Sequence, residues 1–188
     1  MIGGATYVVS TIAGPGVIRH TGAVARVRCG RLDRRPDAVL AGYVEQMRAA
    51  GIDITLSDDM LLDVWKKFVL LSGTSSATAS TRQPIGVIRD DQDMRGFLYR
   101  LMQETMATGR AEGVAFPPDF AAELDGVVAG MPPTMRASMA NDLEAGNRLE
   151  LDWLAGKVVA LGRKHGIPTP SQEAVYAMLK PFRMGRAR

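Results

Sequence analysis

The sequence is poor in the side chains that build metal and redox sites. One cysteine, Cys29, and two histidines, His20 and His165, are present in 188 residues. A single cysteine excludes an internal disulfide framework and a cysteine-rich zinc site, and it suits a reducing, cytoplasmic setting. The histidines lie far apart, so no pair has metal-ligand spacing. Aromatics make up 6% of the chain, and none interleaves with the arginines as a nucleic-acid stacking platform would require. No apolar run approaches the ~18–20 residues of a membrane helix. Met1 is followed by Ile2-Gly3-Gly4 rather than a basic and then an apolar stretch, so no signal peptide is expected. Neither G-x-G-x-x-G nor G-x-x-x-x-G-K-[ST] occurs, and Gly14-Pro15-Gly16 is no substitute, because proline removes an N–H that a phosphate loop would offer.

What remains is ordinary for a globular chain, with 46% hydrophobic and 23% charged residues. The length fits one domain, or one domain and a fragment. The net charge of +3 conceals an asymmetry. Residues 1–35 carry Arg19, Arg26, Arg28, Arg31, Arg34 and Arg35 against Asp33 alone, and the end of the chain carries Lys180, Arg183, Arg186 and Arg188. The long middle is net acidic. A basic segment can meet nucleic acid or phosphate; a solvated strand face is the plainer reading, and neither nucleic acid nor membrane is expected as a partner.

The texture changes near residue 36. Before it, Ala5–Ile12, Val17–His20 and Ala23–Cys29 are rich in β-branched residues and punctuated by glycine, which predicts two or three short strands. From Pro36 the period becomes helical, with Val39, Leu40, Tyr43, Val44 and Met47 on one stripe that ends at Gly51. Ile52–Leu56 alternates like one more strand. After Ser57-Asp58, read as an N-cap, helices are predicted to the end. They run from about Met60 to Thr78, from Asp90 or Asp91 to Gly113, from Asp119 through Val128, from Pro132 to near Gly146, and from Glu150 to His165. The last opens on Thr169-Pro170-Ser171-Gln172, where Thr169 and Gln172 have the spacing of a capping box. The Thr/Ser cluster from Thr74 to Thr81 falls at a helix end. The fold expected is mainly α, a helical domain preceded by an incomplete α/β piece.

Chemistry concentrates in two places. On a 3.6-residue period, Asp63, Val64, Lys67, Leu71, Thr74, Ser75 and Thr78 share a helix face. A lysine above small hydroxyl residues can bind a carboxylate or protonate a carbonyl oxygen; a solvated face is the alternative. The stretch Ser138–Trp153 is dense in carboxylates, with Glu150 and Asp152 near a helix start, where negative charge is favoured in any case. Cys29 ends a β run with no basic partner and reads as buried and inert.

Taken together, Ser138-Met139 through Asp142-Leu143-Glu144-Ala145-Gly146, Glu150-Leu151-Asp152-Trp153-Leu154 with Gly156, and Leu161-Gly162 through Gly166-Ile167-Pro168-Thr169-Pro170 resemble the C-terminal domain of the ketopantoate reductase (2-dehydropantoate 2-reductase) family. Trp65-Lys66-Lys67, Pro84-Ile85-Gly86 and Gly14–Gly22 also fit, and the resemblance covers about residues 3–183. It implies an all-α, 6-phosphogluconate dehydrogenase C-terminal-like domain over 58–183, which binds substrate and dimerises. Residues 1–57 would be the end of a Rossmann domain, and 184–188 a basic tail. It further implies NADPH-dependent reduction of a small 2-keto acid to the 2-hydroxy acid, on the route to pantothenate and coenzyme A. Position by position, Lys67 matches the family's catalytic lysine, Glu150 the acid that binds the substrate hydroxyl, and Ser138 the serine at the substrate carboxylate. Asparagines that follow the family's lysine by four and eight residues are here Leu71 and Ser75; Ser75 is kept as a substrate-binding position in a less polar pocket. The family's glycine fingerprint is not in this chain, so no cofactor-binding residue is retained and weak or absent NADPH binding is expected. The reading from another class is a non-catalytic helical dimerisation module, or a half-enzyme that pairs with a separate nucleotide-binding chain. The reductase reading requires Lys67 and Glu150, on separate helices, to face one small cavity.

Overall fold

The computed structural model describes residues 1–186, with the side chain of Ala23 left aside; Arg188 of the expected basic tail lies outside the described residues. Two compact units divide the chain, Met1–Trp65 and Lys66–Arg188. The expected boundary after residue 57 falls just before a helix that begins in the first unit and continues in the second.

The first unit is built on strands β1 (Ile2–Gly14) and β2 (Val17–Arg31), which pair antiparallel. The separate short strands expected here are one long hairpin. Pro15-Gly16 closes it, with Gly16 at φ +72°, the conformation that the third residue of a type II turn requires and that glycine alone adopts freely. The register shifts between Val8 and Ser10, whose partners are Ala25 and His20, so residues 21–24 bulge out around Gly22. Helix α1 (Ala38–Ala49) crosses over to β3 (Asp53–Leu56), which lies parallel to β2, and the strand order is β1-β2-β3. Asp37 caps α1 by accepting the Leu40 amide at 3.0 Å. Leu40 and Val44 of α1 pack on Cys29 and Ile54. That burial pushes the Cys29 thiol pKa up, in line with an inert cysteine.

The basic segment is engaged within this unit. Arg28 bonds Asp63, Arg31 bonds Asp33 and Asp37, Arg34 pairs with Asp59, and Arg26 lies over the Tyr7 ring. The hydrogen bond from Arg31 holds the Asp33 carboxyl well below the usual carboxylate range. Asp59, rather than Ser57 or Asp58, caps α2 (Met60–Thr81) by accepting the Leu62 amide; the Ser57 hydroxyl donates to Asp63 instead.

The second unit is helical: the rest of α2, then α3 (Ile85–Asp90), α4 (Gln92–Ala111), α5 (Phe120–Gly130), α6 (Ser138–Ala145), α7 (Ala155–His165) and α8 (Pro170–Leu179). Its core joins Val69, Leu98, Met102, Phe120, Leu151 and Val175. Residues 72–79 of α2 are buried all round, so this helix runs through the middle of the unit. Small side chains are what let neighbours approach from every direction. The Thr/Ser cluster does end this helix, as expected, and most of it is buried in the interior of the unit.

Four of those buried hydroxyls, on Ser72, Thr74, Ser76 and Thr78, are hydrogen-bonded, which offsets the cost of burying them. Thr74 and Thr78 donate to the carbonyls of Leu70 and Thr74, one turn back. Ser72 meets Thr105 of α4, and Ser76 donates to the side-chain oxygen of Gln172. The Gln172 amide nitrogen reaches the Leu101 carbonyl at 3.1 Å. Thus Gln172, expected to fold back on its own helix start, is buried and bonds α2 and α4. Thr169 makes no side-chain cap either. The free amides of Ser171 and Gln172 are taken by the Glu104 carboxylate at 2.8 and 2.9 Å.

Two expected helices are shorter than predicted. Residues 131–137 are irregular before α6, and residues 150–154 form turns before α7. The six-residue α3 has no polar side chain at its start and was not foreseen.

Candidate functional site

Lys66 and Lys67 separate by a 100° step around α2, and the structure gives them different surroundings. Lys66 is committed to α5: its ammonium is 2.5 Å from the Glu123 carboxylate and 5.1 Å from the centre of the Phe120 ring. Lys67 is partly buried on the neighbouring face. Following that face along the helix leads to Leu71, which is 39% exposed, and then to Thr74, Ser75 and Thr78, each no more than 2% exposed. Ser75, expected to line a pocket, is packed in the interior row.

The far end of the same face holds the start of α6. The Thr78 hydroxyl oxygen accepts the Ala137 amide at 3.3 Å, and Ala137 is the residue before the first turn of α6. The approach to α6 is fixed from a second side. Gly86 donates its amide to the Pro133 carbonyl at 2.9 Å, and Ile85 donates to Met135 at 2.8 Å. A Cβ on Gly86 would lie 2.7 Å from the Pro133 side chain and 2.8 Å from its carbonyl oxygen, so this close approach needs glycine. Met139 and Ala140 then bury α6 in the core, which leaves Ser138 exposed at its first turn. No side chain caps this helix. Its first N–H groups therefore carry the positive end of the helix dipole toward whatever meets Ser138. Arg136, just ahead, makes a two-pronged pair with Glu144 at 2.8 and 2.7 Å and holds that carboxyl below its ordinary pKa.

Glu150 sits in the turn before α7. Leu149 and Leu151 on either side are buried, at 5% and 0% exposure, which fixes the intervening side chain outward. Its carbonyl accepts the amides of Trp153 and Leu154, both at 3.0 Å, and the Leu149 amide bonds the Arg183 carbonyl. The Glu150 side chain is exposed. Next to it, the Tyr176 hydroxyl donates to Asp152 at 2.8 Å, and that bond raises the phenol pKa.

The structure thus joins Lys67, Ser75 and the start of α6 through one helix, and places Glu150 on a separate turn. No group of three or more His, Cys, Asp or Glu side chains among the described residues could hold a metal ion. No described helix is long and apolar enough to cross a membrane.

Residues 59–183 match the family model described as ketopantoate reductase PanE/ApbA C terminal. The chain belongs to the ketopantoate reductase family. Over 186 residues it is 29% identical to a 2-dehydropantoate 2-reductase of Mesorhizobium japonicum, covering 99% of this chain and 56% of that protein. A crystal structure of a PanE/ApbA family ketopantoate reductase from Ralstonia eutropha matches with a TM-score of 0.84 at 29% identity, covering 97% of this chain and 59% of that one. A dimeric ketopantoate reductase from Staphylococcus aureus shares the fold with a TM-score of 0.84 at 21% identity, over 97% of this chain and 61% of its own. This chain therefore spans a little over half the length of the relatives it matches. The reductase family, and with it the oxidoreductase class of its members, is what the match establishes.

Sequence reasoning did not find the seat of Ser138. The residues that set it are Thr78, Gly86 and the carbonyls of residues 133 and 135. A threonine that bonds a backbone amide of another helix leaves no periodic mark.

Proposed function

We propose that the helical unit is the substrate-binding half of an NADPH-dependent 2-keto acid reductase of the 2-dehydropantoate 2-reductase type. The observation that carries this reading is the continuous α2 face that starts at Lys67 and ends at the uncapped first turn of α6. A 2-keto acid needs two things from its site. Its carboxylate needs hydrogen-bond donors, and Ser138 with the α6 amides offers them at a positive helix end. Its carbonyl oxygen gains charge as hydride reaches carbon, and the Lys67 ammonium supplies a proton to that oxygen. Glu150 is the acceptor for a hydroxyl elsewhere on the substrate.

The NADPH that the family uses is a different matter. The sequence has no glycine fingerprint. The turn that follows β2, where an α/β unit would offer backbone amides to phosphate, is occupied by the pairs of Arg31 with Asp33 and Asp37. These residues do not fit a dinucleotide, and the hydride donor is assigned to no group in this chain. The first unit is read as the closing part of a Rossmann domain, since a β–α–β crossover with a parallel pair is the repeat of that fold. A homodimer is the assembly proposed, by analogy with the dimeric Staphylococcus aureus protein.

Titration of the chain with 2-dehydropantoate or a related 2-keto acid, followed calorimetrically, tests the reading. Binding that weakens at least tenfold in Lys67→Ala supports it. Binding unchanged by Lys67→Ala removes Lys67 from the site and favours a non-catalytic helical module.

A further inference from the structure

The C-terminal turn bears on how Glu150 is held, an inference that rests on the reading above. Glu150 lies in an irregular stretch between the end of α6 at Ala145 and the start of α7 at Ala155. Burial of Leu149 and Leu151 turns its side chain outward, but burial is not directional. Directional contacts come from the far end of the chain. The Leu149 amide donates to the Arg183 carbonyl at 2.9 Å, and the Arg186 amide donates to the Gly146 carbonyl at 2.9 Å. These two bonds lay residues 183–186 along residues 146–149, the segment that leads into Glu150. The Arg183 side chain reaches past Glu150 and lies 4.0 Å from the Asp152 carboxylate, at the same oxygen that accepts the Tyr176 hydroxyl. Arg183 thus holds the residue before Glu150 through its backbone, and the second residue after it through its guanidinium.

We propose that residues 183–186 are a positioning element for Glu150, and that Gly185 and Arg183 are its positioning residues. Gly185 stands at φ +74°, and its amide closes the turn on the Phe182 carbonyl at 2.9 Å. A Cβ on Gly185 would lie 2.6 Å from the Gly146 carbonyl oxygen and 2.8 Å from the Asn147 carbonyl carbon, so glycine is what lets the turn close on this segment. A hydrogen bond weakens steeply as donor and acceptor move apart, so displacing the segment by about 1 Å is enough to lose one. The displacement would cost Glu150 its bond to a substrate hydroxyl and leave the Lys67 end of the substrate in place.

Two acids that differ by one hydroxyl read the position of Glu150: 2-dehydropantoate (4-hydroxy-3,3-dimethyl-2-oxobutanoate) and 3,3-dimethyl-2-oxobutanoate. Dissociation constants for both are measured by titration calorimetry on the intact chain and on Gly185→Ala, Gly166→Ala, Arg183→Met, Arg183→Lys and Glu150→Gln. The intact chain should bind the hydroxylated acid about tenfold more tightly, the scale of a hydrogen bond to a charged group. Gly185→Ala should bring the two acids within about threefold, by weakening only the hydroxylated one. Gly166 stands at φ +67° with open space where a Cβ would go, so Gly166→Ala carries comparable backbone strain without the clash and should keep the preference. Arg183→Met leaves the backbone bonds in place and should reduce the preference about twofold to threefold, while Arg183→Lys retains the charge and should retain the preference. This pair decides the matter where Gly185→Ala does not fold. Equal weakening of both acids in Gly185→Ala overturns the proposal, as does a preference untouched by it or, where it does not fold, by Arg183→Met. Those outcomes leave the reductase reading standing if Glu150→Gln still removes the preference. An intact chain that binds neither acid, or shows no preference that Glu150→Gln removes, overturns the reading of Glu150 and the proposal with it.

Discussion

The hydroxyl oxygen of Thr78 accepts the backbone amide of Ala137 at 3.3 Å, so the helix that carries Lys67 also fixes where the helix that carries Ser138 begins. Thr78 is fully buried and its hydrogen is already given to Thr74, so the oxygen serves as the acceptor. Thr78→Val keeps the shape and removes that acceptor. The loss should cost about 1–3 kcal/mol of stability, the usual penalty for a donor left unpaired in a protein interior. Chemical denaturation measures it. Keto-acid affinity should fall in Thr78→Val and be largely kept in Thr78→Ser, which retains the oxygen. Equal losses in the two variants would show that only packing is at stake.

The polar seam between α2, α4 and α8 gives a second prediction. Gln172 is completely buried, donates to the Leu101 carbonyl and accepts from Ser76. Gln172→Leu leaves the buried Ser76 hydroxyl without its acceptor, whereas the Leu101 carbonyl keeps the Thr105 hydroxyl, and a drop of about 1–3 kcal/mol is expected from the one unpaired group. Glu104→Ala uncovers the Ser171 and Gln172 amides at the surface end of α8, and should cost the lesser sum of about 0.5–2 kcal/mol typical of a lost helix cap. Equilibrium unfolding of the two variants should rank them in that order.

These two residues also show where sequence reasoning stops. The start of α8 is legible from Thr169-Pro170 and the helix does begin there, yet its cap comes from Glu104, far back in the chain. Gln172 at the right spacing for a capping box is drawn away by the buried hydroxyls of Ser76 and Thr105, an instance of tertiary contacts overriding a local motif. The Thr/Ser cluster of α2 does end its helix, but hydroxyls favour caps and turns, and nothing in their pattern marked them as buried with carbonyl and cross-helix partners. Long stripes such as that of α4 were legible because one face had to be apolar. The six-residue α3 was not, since it is held by backbone bonds to residues 133 and 135. The identities of Lys67, Ser138 and Glu150 came from a resemblance, and the exposure of Glu150 from the burial of its two leucine neighbours, which only coordinates reveal.

A surface cluster should shape the acid limb of the stability profile. Lys164 and His165, at the end of α7, both reach the same Glu112 oxygen just past α4, and those bonds lower the Glu112 pKa to about 2. An unfolded chain would return it to ~4.3. Because the folded pKa is the lower one, the cluster contributes stability in full above the unfolded value, and loses it as pH falls from about 5 toward 2. Replacing Glu112 with glutamine should flatten that part of the profile while leaving the region above pH 6 nearly parallel to the parent. Thermal unfolding across pH 2–7 measures this, and a decline as steep in Glu112→Gln as in the parent would assign it to other carboxylates.

The hairpin leads to a prediction about association. Ile12 and Ile18 face each other across β1 and β2 and are 81% and 66% exposed, and Val9 is 61% exposed. Among the described residues the strand order places β1 at an edge of the sheet, with these apolar side chains at the far end of the hairpin. Natural edge strands are usually protected by charge, proline or cover, and a long apolar edge without them recruits another strand. The chain should therefore self-associate through this hairpin in a concentration-dependent way. Sedimentation velocity of Ile12→Lys with Ile18→Lys should show smaller species at the same concentration, since two charges set opposite one another on an edge oppose pairing. The helical unit is untouched by these changes, so its helical circular dichroism should persist. An unchanged sedimentation profile would assign association to the helical surface, which is where the dimer proposed for the reductase would form.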